Sequence, residues 1–121
     1  MKVLTVLFVA LFFGSASFSQ TMEDPGTPEE RAAKITRQMQ ARLQLDSIQL
    51  QQVEALNLKY ARIAQKEIVD KGLSRWAMYR QGTKLNAQKE QELKPLLSAM
   101  QWEAYEQRKK QVIGKILGFL F

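Results

Sequence analysis

At 121 residues, with 18 lysines and arginines against 12 carboxylates, the chain carries a formal net charge of +6, and it contains neither histidine nor cysteine. Without those two residue types, disulfides, lipid attachment through a cysteine and the usual nucleophile–base pairs are excluded, and a zinc or copper ion would lose its best ligands. The length suits one domain with a modest core, and the basic balance suits acidic or unfolded polypeptides or anionic lipid headgroups as partners.

The first nineteen residues read as a signal peptide. Met1-Lys2 gives a positive start, Val3 to Phe13 is apolar apart from Thr5, and Ser17 and Ser19 occupy the small-residue positions before a cut at Gln20. A membrane span needs about 20 apolar residues, and this run is much shorter. The expected address is therefore the periplasm, which argues against nucleic acid as the partner of so basic a chain. Loss of Lys2 lowers the basic count from 18 to 17 and leaves +5. Residues 20–27 form a flexible acidic leader with Glu23 and Asp24. Beyond Glu29 and Glu30, residues 31–121 keep all 17 basic and 8 acidic residues, a charge of +9.

Thr27-Pro28-Glu29-Glu30 supplies an N-cap, a proline at the first helical position and a glutamate at the third, so a first helix is predicted over 28–44. Its apolar face is a thin stripe of Ala32, Ile35, Thr36, Met39 and Leu43. Leu45-Asp46-Ser47-Ile48-Gln49 starts a second helix: Asp46 is the N-cap, Gln49 can reach back to its N–H, and Leu45 can staple onto Leu50. Val53, Leu56, Tyr60, Ile63 and Ala64 make the central stripe of this helix, which should run to about Asp70 and stop at Lys71-Gly72 with a chain reversal.

A third helix is predicted from Ser74 to Lys94, where Pro95 ends or kinks it. It has two faces that need cover, one with Trp76, Tyr79, Thr83, Ala87 and Leu93, the other with Lys71, Met78, Leu85 and Lys89. Gly82 weakens this helix or marks a close helix approach. Leu97-Ser98-Ala99-Met100-Gln101 then repeats the earlier box, with Ser98 as N-cap, Gln101 reaching back and Leu97 stapling onto Trp102. The last helix carries Trp102, Tyr105, Val112, Ile113, Ile116 and Leu117 on a broad face. No strand pattern appears, so the fold class is all-α, with four helices in an elongated, bent hairpin or a loose bundle.

The paired boxes Leu45-Asp46-x-x-Gln49 and Leu97-Ser98-x-x-Gln101 resemble the Leu-Thr-x-x-Gln motif that the Spy/CpxP family of small periplasmic stress proteins carries twice per chain. Asp46 and Ser98 replace the threonine, and each is a competent N-cap. The resemblance implies a thin, curved, antiparallel homodimer and an ATP-independent chaperone-like protein that shields unfolded or partly folded clients. Some members sense metals, a role that the absence of histidine puts in doubt here; no cofactor or metal site is expected. The six box residues are expected to act through capping, and an enzyme is not expected. Glu90 and Glu92, or Glu103 and Glu106, are carboxylate pairs on lysine-rich surfaces.

Lys71, Met78, Leu85 and Lys89 form the candidate surface for clients or for a dimer seam: a polarizable methionine and a leucine framed by lysines give weak, adaptable contact. Trp76 and Trp102 read as core anchors. Lys109, on the apolar face of the last helix, would pair with Glu67 across an interface or extend its ammonium outward. The apolar end from Val112 to Phe121 would dock on the first helix, enter a partner groove, contact a membrane surface or present its carboxylate to a protease module. A second functional reading is an envelope-stress adaptor that binds the periplasmic domain of a sensor kinase or an anti-sigma factor.

Overall fold

The structure is a computed structural model that describes residues 26–120, with side chains as far as Val112. The expected signal peptide, most of the expected acidic leader and the apolar terminal side chains lie outside the described residues. Four α-helices and no strand are present among those described: α1 (Pro28–Leu43), α2 (Ser47–Ala64), α3 (Arg75–Leu93) and α4 (Ala99–Leu120). They form a loose bundle in which α1 lies against α2, α3 folds back along α2, and α4 returns beside α1.

Each helix begins where a side chain can take up an orphaned backbone donor. Thr27 Oγ1 accepts from the Glu30 N–H at 3.1 Å and Glu30 Oε1 accepts from the Thr27 N–H at 2.8 Å, with Pro28 filling a position that needs no donor. Ser74 caps α3 through the Ala77 N–H. The ends are equally local. Gln44 closes α1 with φ of 53°, its N–H donating to Gln40 O. α2 widens into a π turn over Gln65–Val69, and Gly72, at φ 58°, provides the left-handed step that turns the chain into α3. A 3-10 turn over Lys94–Leu96, with Pro95 inside it, ends α3.

The core gathers at one end of the bundle. Met39 and Leu43 of α1, Leu45, Val53, Leu56 and Tyr60 of the second segment, and Leu93 of α3 are buried together, with Leu50, Leu97, Trp102 and Tyr105 packed against them. Within this apolar setting Asn57 is 1% exposed; its Nδ2 donates to Thr36 Oγ1 at 3.0 Å, while its Oδ1 is buried without a donor. Arg31 ties the start of α1 to the end of α2, donating to Gly26 O, to Ala61 O and to Gln65 Oε1.

Three expectations change at this level. Trp76 is not a core anchor: it is 66% exposed, because α2 gives way to the π turn and the Gly72 reversal near the start of α3 and leaves that face uncovered. Trp102 does pack on the core. Leu93 belongs with Lys89 and not with Trp76, since four residues advance a helix by about 400°, which places the two about 40° apart. Gly82 marks no close helix approach, for a Cβ added there would meet nothing within 4 Å.

Candidate functional site

The two boxes meet. Besides capping their own helices, Gln49 and Gln101 face each other and use every hydrogen-bonding position of their amides. Gln49 Oε1 accepts from the Asp46 N–H at 3.1 Å and from Gln101 Nε2 at 3.1 Å. Gln101 Oε1 accepts from the Ser98 N–H at 2.9 Å and from Gln49 Nε2 at 2.7 Å. The remaining donor of Gln49 goes to Leu96 O and that of Gln101 to Leu43 O, each at 3.1 Å, so each amide also holds the chain just before the other box. In return, Asp46 Oδ1 and Ser98 Oγ accept from the Gln49 and Gln101 N–H groups at 2.8 and 3.2 Å. This near-symmetric clasp joins the α1–α2 and α3–α4 connections, with Leu45 buried and Leu97 half-buried beside it. Every hydrogen-bonding position of the two amides is already spent on the fold, so Gln49 and Gln101 hold the connections together and offer no amide atom to a ligand.

A second polar cluster fastens α3 to α4. Glu90 accepts from Tyr105 Oη at 2.8 Å and from Lys109 Nζ at 2.9 Å, and Glu106 stands 3.6 Å from the same ammonium. Burial and the Glu90 carboxylate push the Tyr105 hydroxyl far above its ordinary pKa. Burial works against the Lys109 charge, but Glu90 and then Glu106 outweigh it and hold its pKa above the usual lysine value. Lys109 thus pairs with Glu90, and Glu67 stays on the exposed π turn. Glu92 accepts from the Tyr60 hydroxyl and from Lys59 at 2.9 Å, which hold its carboxyl below the ordinary value, while Glu92 and burial hold the Tyr60 phenol above its own. These glutamates are helix-to-helix fasteners. Among the described residues no three His, Cys, Asp or Glu gather as metal ligands.

The candidate surface Lys71, Met78, Leu85 and Lys89 is divided by the fold. Lys71 and Met78 are exposed, Met78 at 41%. Leu85 and Lys89 are half-buried and line a groove against α1 and α2. Burial lowers the Lys89 pKa, with Glu90 opposing the shift. On the outer side of α3, Trp76 and Tyr79 stack with ring centroids 5.7 Å apart and stand 66% and 65% exposed. Between residues 71 and 89 there are five basic residues, Lys71, Arg75, Arg80, Lys84 and Lys89, and no acid. None of the five has an ion pair among the described residues. Sequence reasoning placed the aromatic pair inside; the signal for the outside was this absence of acidic partners.

No helix among the described residues is long and apolar enough to cross a membrane. Comparison with protein-family models, with curated proteins and with solved structures finds no match to the chain.

Proposed function

We propose that this chain is an ATP-independent, chaperone-like binding protein of the bacterial envelope, akin to the Spy/CpxP family, that shields unfolded or stress-damaged polypeptides. The observation that carries the reading is the outer side of α3, where a stacked, exposed Trp76–Tyr79 pair stands near four exposed basic side chains, Lys71, Arg75, Arg80 and Lys84, with no ion pair among the described residues. Such a face draws in acidic and unfolded chains over a distance, then offers them apolar contact. Exposed Met78 adds a side chain that adapts to many sequences. The paired boxes support the family part of the reading, and the residue 1–19 pattern supports the envelope address. A homodimer would present two such faces at once and raise the affinity for long clients through avidity.

A second reading, the adaptor for one sensor kinase or anti-sigma factor domain, draws on the same patch, because Trp, Tyr and Arg are the side chains that dominate tight interfaces. The experiment that tests the proposal is light scattering from a chemically unfolded, unrelated protein mixed with residues 20–121 at low and high salt. Suppression of aggregation near equimolar ratio, weakened by salt, is the expected result. No suppression at any ratio contradicts it and transfers the patch to a dedicated partner.

A further inference from the structure

Two adjoining grooves lie between α1 and the α3–α4 pair. The larger, about 350 Å³, has Ile35, Met39 and Leu43 of α1 on one side and Ala104 and Val112 of α4 on the other. The smaller, about 210 Å³, continues between Ile35 and Leu85 toward α2. Ile35, Asn86 and Lys89 line both, which places Lys89 where the two join. Ile35 and Val112 remain 38% and 40% exposed, so an apolar wall of the groove is left open to solvent.

The charge in this groove has one sign. Arg42, Lys89, Arg108 and Lys109 line its larger part, and no carboxylate lines either part. Of these four, Lys109 alone has an ion pair among the described residues; the nearby Glu90 is already taken by Lys109 and Tyr105. Arg108 Nε is buried with no acceptor, and Arg42 and Lys89 have no ion pair among the described residues. A buried donor without an acceptor is costly, and an anion placed there would remove that cost for Arg108 while meeting the charges of Arg42 and Lys89.

We propose that the joined grooves bind an anionic single-chain amphiphile with the chemistry of a free long-chain fatty acid, its carboxylate among Lys89, Arg42 and Arg108 and its chain along Ile35, Met39 and Val112. The volume is at the small end of ligand sites and suits one alkyl chain better than a folded partner. The apolar walls account for the chain, and the unopposed cations account for the head. The site is separate from the Trp76 face and does not depend on the client-binding reading.

The test is calorimetric titration of residues 20–121 with laurate below its micelle concentration, beside butyrate and dodecyltrimethylammonium. Laurate is expected to bind with saturable stoichiometry, butyrate to give no measurable heat, and the cationic amphiphile to bind about tenfold or more weaker. Lys89→Met keeps an apolar stem and removes the charge; it should weaken laurate about ten- to a hundredfold while the thermal midpoint holds. Ile35→Asp, at an exposed wall position, is an independent variant expected to do the same. Absence of laurate binding, equal affinity for the two dodecyl amphiphiles, or unchanged affinity in both variants overturns the proposal.

Discussion

The clasp end of the bundle and the outer face of α3 are built from similar amounts of polar and aromatic material and put it to opposite uses. At the clasp, Gln49 and Gln101 spend every donor and acceptor on each other, on the caps and on two main-chain carbonyls, and Trp102 stacks on Tyr105 at 5.1 Å while packing on the core. Near the Gly72 turn, Trp76 stacks on Tyr79 with no core beneath it, and the neighbouring cations find no carboxylate. The difference teaches that one end specifies the fold, while the other carries side chains the fold does not use, as the proposed binding role requires. Stability and function can therefore be disturbed separately.

The largest effect should come from Gln49→Glu. If the box served only to cap α2, a glutamate would do equally well, since its oxygen still accepts from the Asp46 N–H. In the clasp the same change removes both Nε2 donors and turns a carboxylate oxygen toward Leu96 O and Gln101 Oε1. A loss of about 2–3 kcal/mol in urea unfolding at neutral pH is expected, and near-wild-type stability would reduce the clasp to two independent caps.

Alkaline pH probes the fastener between α3 and α4. The Tyr105 pKa is raised on folding, so its contribution is complete below the unfolded value of about 10 and is lost as pH climbs above it. Lys109 and Tyr60, which are also raised, act in the same direction, whereas Lys89, which is lowered, gains stability as pH rises toward its ordinary value. The urea midpoint of the wild type should fall between about pH 9.5 and 11.5, and that of Tyr105→Phe should fall less over the same interval. Parallel curves for the two proteins would show that Tyr105 titrates as an exposed phenol.

A smaller effect of opposite sign is expected at Gly82, where an added methyl meets open space on a helical backbone. Gly82→Ala should stabilise by about 0.5–1 kcal/mol, read as a rise in thermal midpoint. A fall would mean that the groove beside Gly82 is tighter than the structure shows.

The helix ends were legible because each is written in one short stretch: Thr27 with Glu30, Asp46 with Gln49, Ser98 with Gln101, and Gly72 past the end of α2. Contact between the boxes was not, since a capping box uses only one oxygen of the glutamine; the unassigned Nε2 of the glutamine in each of two similar boxes was the available hint. Asn57 follows Leu56 on the apolar side of α2, yet a polar side chain there gives no sign of its Thr36 partner 21 residues away. The sequence also assigned Trp76 to the interior on residue type alone. Burial depends on how far each helix covers its neighbour, and the widening of the last part of α2 into a π turn, unlike the Gly72 stop, has no simple sequence signature.

The most direct test of the division between the two ends is to measure thermal midpoint and aggregation suppression on one variant, Trp76→Ser combined with Tyr79→Ser. The account predicts a midpoint within about 1 kcal/mol equivalent of wild type, as surface changes give, together with loss of suppression. Suppression retained at the wild-type ratio, with the fold intact, would contradict it.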